Sequence, residues 1–114
     1  MSLTSLVKGL NAFHSSYFND HHEMFEQLSQ GQSPEVLFIT CSDSRIDPCL
    51  ITQAQPGELF VMRNVGNIIP SYGAASSAES AGIEYAVQVW AFAISSSAGI
   101  LTVAQCGDCC KWAL

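Results

Sequence analysis

Residues 35–45, EVLFITCSDSR, decide the fold. The first seven are mostly apolar, include β-branched and aromatic side chains, and follow Pro34. A short run of this kind predicts a strand that is buried on both faces, as in a parallel sheet. The polar residues 41–45, CSDSR, then lie at the carboxyl end of that strand, which is where open α/β sheets bind their ligands.

A second strand and a helix follow in the order expected of an α/β protein. Residues 58–63, ELFVMR, predict another buried strand that ends in the polar turn RNVGN, and Pro48 and Pro56 delimit a short helical turn before it. Ser76 and Glu79 have the spacing of a capping box at the start of a further helix. The predicted fold class is therefore α/β, with a parallel-centred β-sheet flanked by helices.

An N-terminal helical arm, residues 1–30, precedes the first strand. Its apolar residues recur at helical spacing and form one stripe, which consists of Leu3, Leu6, Val7, Leu10, Phe13 and Tyr17. Asp20, with Glu23 three residues later, predicts the start of a second helix, and Gly31 predicts its end. The stripe fits equally well ordinary core packing or an arm that lies on a partner subunit.

The amino-acid composition and the net charge exclude several classes of protein. The chain has 114 residues, of which 48% are hydrophobic and 12% charged, so it predicts a single small globular domain, 1–114, rather than a disordered chain. Its net charge is −6 and its few basic residues are scattered, which argues against nucleic acid and anionic membranes as partners. Because no apolar run is long enough to span a bilayer and the N-terminus lacks a signal-peptide pattern, we expect a cytoplasmic protein with reduced thiols.

The motif CSDSR carries the candidate chemistry. The Cys41 thiolate is a strong zinc ligand, and the Asp43 carboxylate two residues later can either ligate a metal or hydrogen-bond to metal-bound water. The guanidinium of Arg45 can hold that carboxylate in place. The alternative is a strand-to-helix turn in which the serine and aspartate side chains only cap a helix.

Three blocks in sequence resemble the β-class carbonic anhydrases. They are CSDSRIDP, PGELFVMRNVGNIIP and SAGIEYAV, and the resemblance covers about residues 31–89. The preceding run YFNDHHEMFEQLSQGQSP is similar to cyanobacterial, carboxysome-associated members. The resemblance implies a zinc enzyme that interconverts carbon dioxide and bicarbonate, in which zinc lowers the pKa of bound water so that hydroxide attacks carbon dioxide at neutral pH. It also implies a homodimer or higher oligomer, possible carboxysome components as partners, and a cytoplasmic or carboxysomal location.

The resemblance also assigns roles to individual residues. Cys41 would be the first zinc ligand. Asp43 would form a catalytic dyad with Arg45, and would either hold the zinc-bound hydroxide or cap the metal in a closed form. The positions that line the carbon dioxide pocket in the family, partly across the dimer interface, are Gln32, Phe60 and Tyr85. The turn beside the site comprises Arg63, Asn64, Gly66 and Asn67. For Phe60 and Tyr85 alone, ordinary core packing is the competing interpretation.

The C-terminal part departs from the family pattern. The family takes two more zinc ligands from a GHSxCG block after the next strand, and that block is absent; all three histidines lie in the arm. A one-nucleotide change of reading frame from Trp90 onward, with permitted codons, restores such a block. We therefore interpret residues 90–114 as an aberrant, frameshifted tail of a truncated domain, and expect weak or no activity.

The tail has two further features that bear on function and stability. Cys106 and Cys109 have the spacing of half a zinc site, so they are either substitute ligands or accidents of the shifted frame. The serines in 92–99 would put hydroxyl groups into a sheet core, while residues 100–103, ILTV, fit a short strand. Two other functions stay open: a non-catalytic module that associates with an intact relative or a carboxysome component, and a thiol-rich zinc or redox protein.

Overall fold

A computed structural model describes residues 1–74 and 76–90, together with the backbone of 99–102. It divides into two compact units, Met1–Gln32 and Ser33–Leu114. The predictions for the tail serines and for Cys106 and Cys109 concern residues that lie outside the described ones. Within the described part of the chain, no helix is long and apolar enough to cross a membrane.

The first unit is a helical arm. Its elements are α1 (Leu3–Ala12), a π-helical segment (Phe13–Tyr17), α2 (Phe18–Asp20) and α3 (His22–Ser29). The backbone stays helical through Asp20 and breaks at His21, where φ is −117° and ψ is 30°. The prediction that Asp20 begins the second helix is therefore wrong, because the helix starts two residues later and has no side-chain cap.

Aromatic rings contact one another along the arm in two series with four-residue spacing, and all but the edge-on Phe18–His22 contact are stacked. Phe13, Tyr17 and His21 form one series, in which the Tyr17 and His21 ring centroids are 4.1 Å apart. His14, Phe18 and His22 form the other. Since π–π contacts favour particular ring orientations, these contacts stabilise the helical course of the segment.

The second unit contains a three-stranded sheet. Its strands are β1 (Val36–Cys41), β2 (Leu59–Asn64) and β3 (Gly99–Thr102), arranged in the order β2-β1-β3. β1 pairs in parallel with both neighbours. The predicted parallel-centred α/β fold is confirmed, and each of the two predicted strands is displaced by at most one residue from its predicted bounds. The prediction that the second strand is buried is wrong, because the residues of β2 alternate between half-buried and exposed in its second half and none is fully buried.

The described residues of the second unit include two helices. The short helix α4 (Pro48–Thr52) begins at Asp47, whose Oδ1 accepts a hydrogen bond from the Leu50 N–H at 2.9 Å. The longer helix α5 (Ala78–Trp90) is capped by Ser77, whose Oγ accepts a hydrogen bond from the Ser80 N–H. The cap is therefore one residue after the predicted Ser76.

The core is built around β1. Leu37 and Ile39 on one face of the strand pack with Ala86 of α5, and the partly buried residues around them are Phe60, Met62, Ile83 and Trp90. Phe38 and Thr40, which alternate with Leu37 and Ile39, are also buried. Both faces of β1 are thus covered, as the apolar run of the sequence predicts.

Replacement of Leu37 by alanine should lower the free energy of unfolding by about 2–5 kcal/mol, because it removes a side chain that is 0% exposed from the central strand. Leu50→Ala is the matched control. Its side chain is 69% exposed, so we expect a change within about 0.5 kcal/mol. Urea unfolding followed by circular dichroism measures both, and equal effects of the two substitutions would contradict the described core.

Candidate functional site

The CSDSR loop and the RNVGN turn meet at one edge of the sheet. β1 and β2 are parallel, so both carboxyl ends point to the same edge, and Cys41 is in register with Asn64. One residue further on, the Ser42 N–H donates to the Asn64 carbonyl at 2.8 Å. The two polar segments that the sequence singled out are therefore adjacent.

Cys41 is the last residue of β1, and its side chain is 3% exposed. Strand alternation places it on the same face as Leu37 and Ile39. The thiol thus lies at the boundary between the apolar core and the polar loop that follows the strand.

Asp43 and Arg45 form a bidentate ion pair. Asp43 Oδ1 accepts hydrogen bonds from the Arg45 backbone N–H at 2.9 Å and from Nε at 3.0 Å, and Oδ2 accepts one from Nη2 at 2.7 Å. The aspartate side chain is 12% exposed and that of the arginine 65%. Paired hydrogen bonds from a guanidinium fix the orientation of a carboxylate as well as its position.

Helix capping does not account for this motif. The side chain that caps α4 belongs to Asp47, outside CSDSR, whereas the Asp43 carboxylate is directed to Arg45. Among the interpretations that the sequence left open for Asp43, the geometry favours a carboxylate held by its arginine partner.

Arg63 is a further residue of the site. Its Nε donates to the Cys41 carbonyl at 3.0 Å, and its Nη2 donates to the Asp43 carbonyl at 2.7 Å. Sequence reasoning placed Arg63 in the neighbouring turn but missed these contacts. The acceptors are main-chain carbonyls, so no side-chain pattern identifies them in advance.

The side chain of Asn64 closes the RNVGN turn. The Asn64 Nδ2 group donates to the Ile68 carbonyl and its Oδ1 accepts from the Ile68 N–H, both at 2.7 Å. Gly66 has a φ of 82° and Asn67 a φ of 54°, conformations that glycine and asparagine tolerate best. The turn therefore holds a defined shape next to the CSDSR loop.

Three aromatic rings cluster on one side of the sheet. Phe60 and Tyr85, two of the predicted pocket residues, have ring centroids 6.1 Å apart. Trp90 lies 4.7 Å from Phe60 and 5.1 Å from Tyr85. Sequence reasoning assigned Trp90 to the aberrant tail, yet α5 continues through it. The third predicted pocket residue, Gln32, is the last residue of the arm unit.

The donor groups of the described residues do not fit a catalytic zinc ion. Such an ion takes three protein ligands, usually histidine, cysteine or carboxylate. The described residues contain no group of three such side chains. Both carboxylate oxygens of Asp43 accept hydrogen bonds from Arg45. The three histidines lie in the arm unit.

The comparisons with known proteins identify the family. A family model described as carbonic anhydrase matches residues 36–95. The carbonic anhydrase of Synechocystis sp. is 60% identical over 82 residues, and that of Synechococcus elongatus is 59% identical over 85 residues. The solved β-carbonic anhydrase CcaA matches 78% of this chain with a TM-score of 0.76 and 55% identity. The chain therefore belongs to the carbonic anhydrase family, and within it to the β class.

The match covers only part of each relative. The aligned residues make up 72% of this chain but 30% of the Synechocystis protein, and 75% of this chain but 31% of the Synechococcus protein. They make up 40% of the CcaA chain. The chain thus spans about a third of the length of the curated relatives, and it contains the part of the family fold that carries CSDSR.

Proposed function

We propose that this chain carries the first half of a β-carbonic anhydrase active site, in which Cys41 and the Asp43–Arg45 pair serve the reversible hydration of carbon dioxide. The observation that carries the proposal is the bidentate Asp43–Arg45 pair beside the buried Cys41 at the carboxyl end of the central strand. Phe60 and Tyr85 are proposed to contribute to the apolar substrate pocket, and Gln32 is the third position that the family resemblance assigns to such a pocket.

We also propose that the chain in its present form hydrates carbon dioxide weakly or not at all. The described residues supply fewer metal donors than a catalytic zinc ion requires. In addition, Trp90 packs on both Phe60 and Tyr85, so an indole ring occupies space beside the proposed pocket. Both features point to an impaired site, and no catalytic step through zinc follows from the residues present.

Purified chain supplied with zinc should show little or no carbon dioxide hydration above the uncatalysed rate in a stopped-flow assay. The physical reason is the incomplete ligand set, without which bound water is not activated. The carbonic anhydrase of Synechocystis sp., assayed in parallel, is the positive control. A rate close to that of the control would contradict the proposal.

The proposed cause of the impairment is a shift of reading frame near Trp90. Two observations support it: the family match ends at residue 95, and the sequence after β3 holds cysteines but no histidine. A frame displaced by one nucleotide encodes a GHSHCG block at the expected distance when suitable codons are chosen.

The nucleotide sequence from the codon of Tyr85 to about thirty codons beyond tests this origin directly. We expect the neighbouring frame to encode GHSHCG and to continue open. If it does not, residues 90–114 are genuine sequence, and Cys106 and Cys109 become the first candidates for zinc ligands. Loss of zinc uptake after replacement of both by serine would then support that assignment.

A second candidate function is association through the arm. The apolar stripe of α1 is exposed along its length, with Leu3 at 78% and Leu10 at 63% exposed. Solved relatives include tetrameric β-carbonic anhydrases from Sordaria macrospora, which match 76% of this chain with a TM-score of 0.67. We propose that the stripe packs on another subunit, either a second copy or an intact relative.

Paired replacement of Leu6 and Leu10 by glutamate should convert an oligomer to a monomer, since it places two charges on the apolar stripe. Ala12→Glu is the control, because Ala12 lies on the opposite face of α1 and is exposed. Sedimentation velocity over a range of concentrations measures the association. A wild-type chain that is monomeric throughout, or a double variant that associates as well as wild type, would refute the role of the stripe.

A further inference from the structure

We propose that Arg63 is the residue that positions the CSDSR loop, acting through the backbone of Cys41 and Asp43. This inference deepens the proposed function and rests on it, since it concerns the same candidate site. It assigns to the RNVGN block a role beyond its own turn, namely to set the direction in which the Cys41 thiol and the Asp43 carboxylate leave the main chain.

The contacts of Arg63 extend the pairing of the two strands beyond its main-chain limit. Main-chain hydrogen bonding from β1 to β2 continues as far as Ser42, whose N–H donates to the Asn64 carbonyl. Past that point the Arg63 side chain connects the two chain segments, because its Nη2 donates to the Asp43 carbonyl at 2.7 Å. The Arg63 side chain therefore continues the hydrogen bonding between the two segments beyond the last main-chain hydrogen bond.

Both arginines of the sequence donate to Asp43. Arg45 binds the carboxylate, and Arg63 binds the main-chain carbonyl of the same residue. The Asp43 carbonyl also accepts the Ile46 N–H at 3.0 Å, which closes the turn of the loop. Asp43 is therefore fixed at both its side chain and its backbone, and each restraint depends on a different guanidinium.

An ion pair does not explain the position of Arg63. Among the described residues no carboxylate lies within salt-bridge distance of its guanidinium, and the recorded acceptors of its side chain are the two carbonyls of the CSDSR loop. Hydrogen bonds from a charged donor are roughly twice as strong as those between neutral groups. Arg63, one of only four lysine and arginine residues in the chain, therefore serves to hold the CSDSR loop in place.

The test uses the whole chain of 114 residues, without metal, and follows two signals. The first is the rate at which iodoacetamide alkylates Cys41 in the native protein, resolved by mass spectrometry and divided by the rate for the exposed Cys49 of the same molecule. Because Cys41 is 3% exposed, its alkylation requires local opening of the loop. The second is the NMR signal of the Arg45 Nε–H group, which reports its hydrogen bond to Asp43.

Arg63→Met keeps most of the aliphatic stem but removes the donors. We expect it to raise the relative alkylation rate of Cys41 between about tenfold and a hundredfold and to shift the Arg45 Nε–H signal. Arg63→Lys, which retains a charged donor, should restore part of both signals. Lys8→Met removes a cation from the arm unit instead and should change neither.

A general loss of stability is separated from a positioning role by Leu37→Ala, which weakens the core without touching the loop. An unchanged Arg45 signal in Arg63→Met, with Cys41 alkylated no faster than in Leu37→Ala, would overturn the proposal. If Arg63→Met fails to fold, Arg63→Lys decides: a Cys41 rate above that of wild type, together with a shifted Arg45 signal, supports the proposal, and wild-type values for both refute it. Neither signal depends on zinc or on activity, so an inactive chain leaves the inference standing.

Discussion

The parallel pairing of β1 with a strand on each of its edges is the constraint on which the rest of the structure depends. Both edges of the strand are hydrogen-bonded, and Leu37 and Phe38, which point to opposite faces, are both buried. A polar side chain within such a strand would need a buried partner. Thr40 is the one polar exception among the residues before Cys41, and its buried hydroxyl has no hydrogen-bond partner among the described residues. The charged groups of the candidate site begin only where the strand ends, in the loop that follows Cys41.

The same pairing decides which segments meet at the site. Parallel strands share a carboxyl edge, so the segments that follow β1 and β2 are brought together although about twenty residues separate them. β3 runs in the same direction, and the family resemblance implies that the remaining zinc ligands would follow the next strand along the chain. In this sequence the residues after Thr102 read VAQCGDCC, without histidine. On the proposed interpretation, the strands that position the site are present, whereas the histidine that the family resemblance implies is absent from this segment.

Much of the fold can be predicted from the sequence because short apolar runs rich in β-branched and aromatic residues favour strands. The runs 35–41 and 58–63 predict strands that the structure places at Val36–Cys41 and Leu59–Asn64. Helix starts are less predictable, since Ser76 and Ser77 are chemically equal and only the path of the preceding loop selects between them.

The candidate site was predictable in its residue types but not in its connections. The pairing of Asp43 with Arg45 follows from opposite charges two residues apart, and the structure has it. The bonds from Arg63 to two carbonyls were missed because every residue offers a carbonyl. Trp90 was missed because the sequence changes character after Val89, which placed Trp90 in the tail, whereas α5 continues through Trp90 and the indole ring packs on Phe60.

The π-helical segment Phe13–Tyr17 sets the rotational phase of the arm. A π-helical turn holds one more residue than an α-helical turn, so each side chain before it is rotated by about 100° relative to those after it. Deletion of a single residue within the segment would restore the α-helical pitch and swing the leucines of α1 away from their present direction, while leaving Phe18 and Phe25 in place. The angular relation between the two ends of the arm is therefore encoded in the number of residues between them.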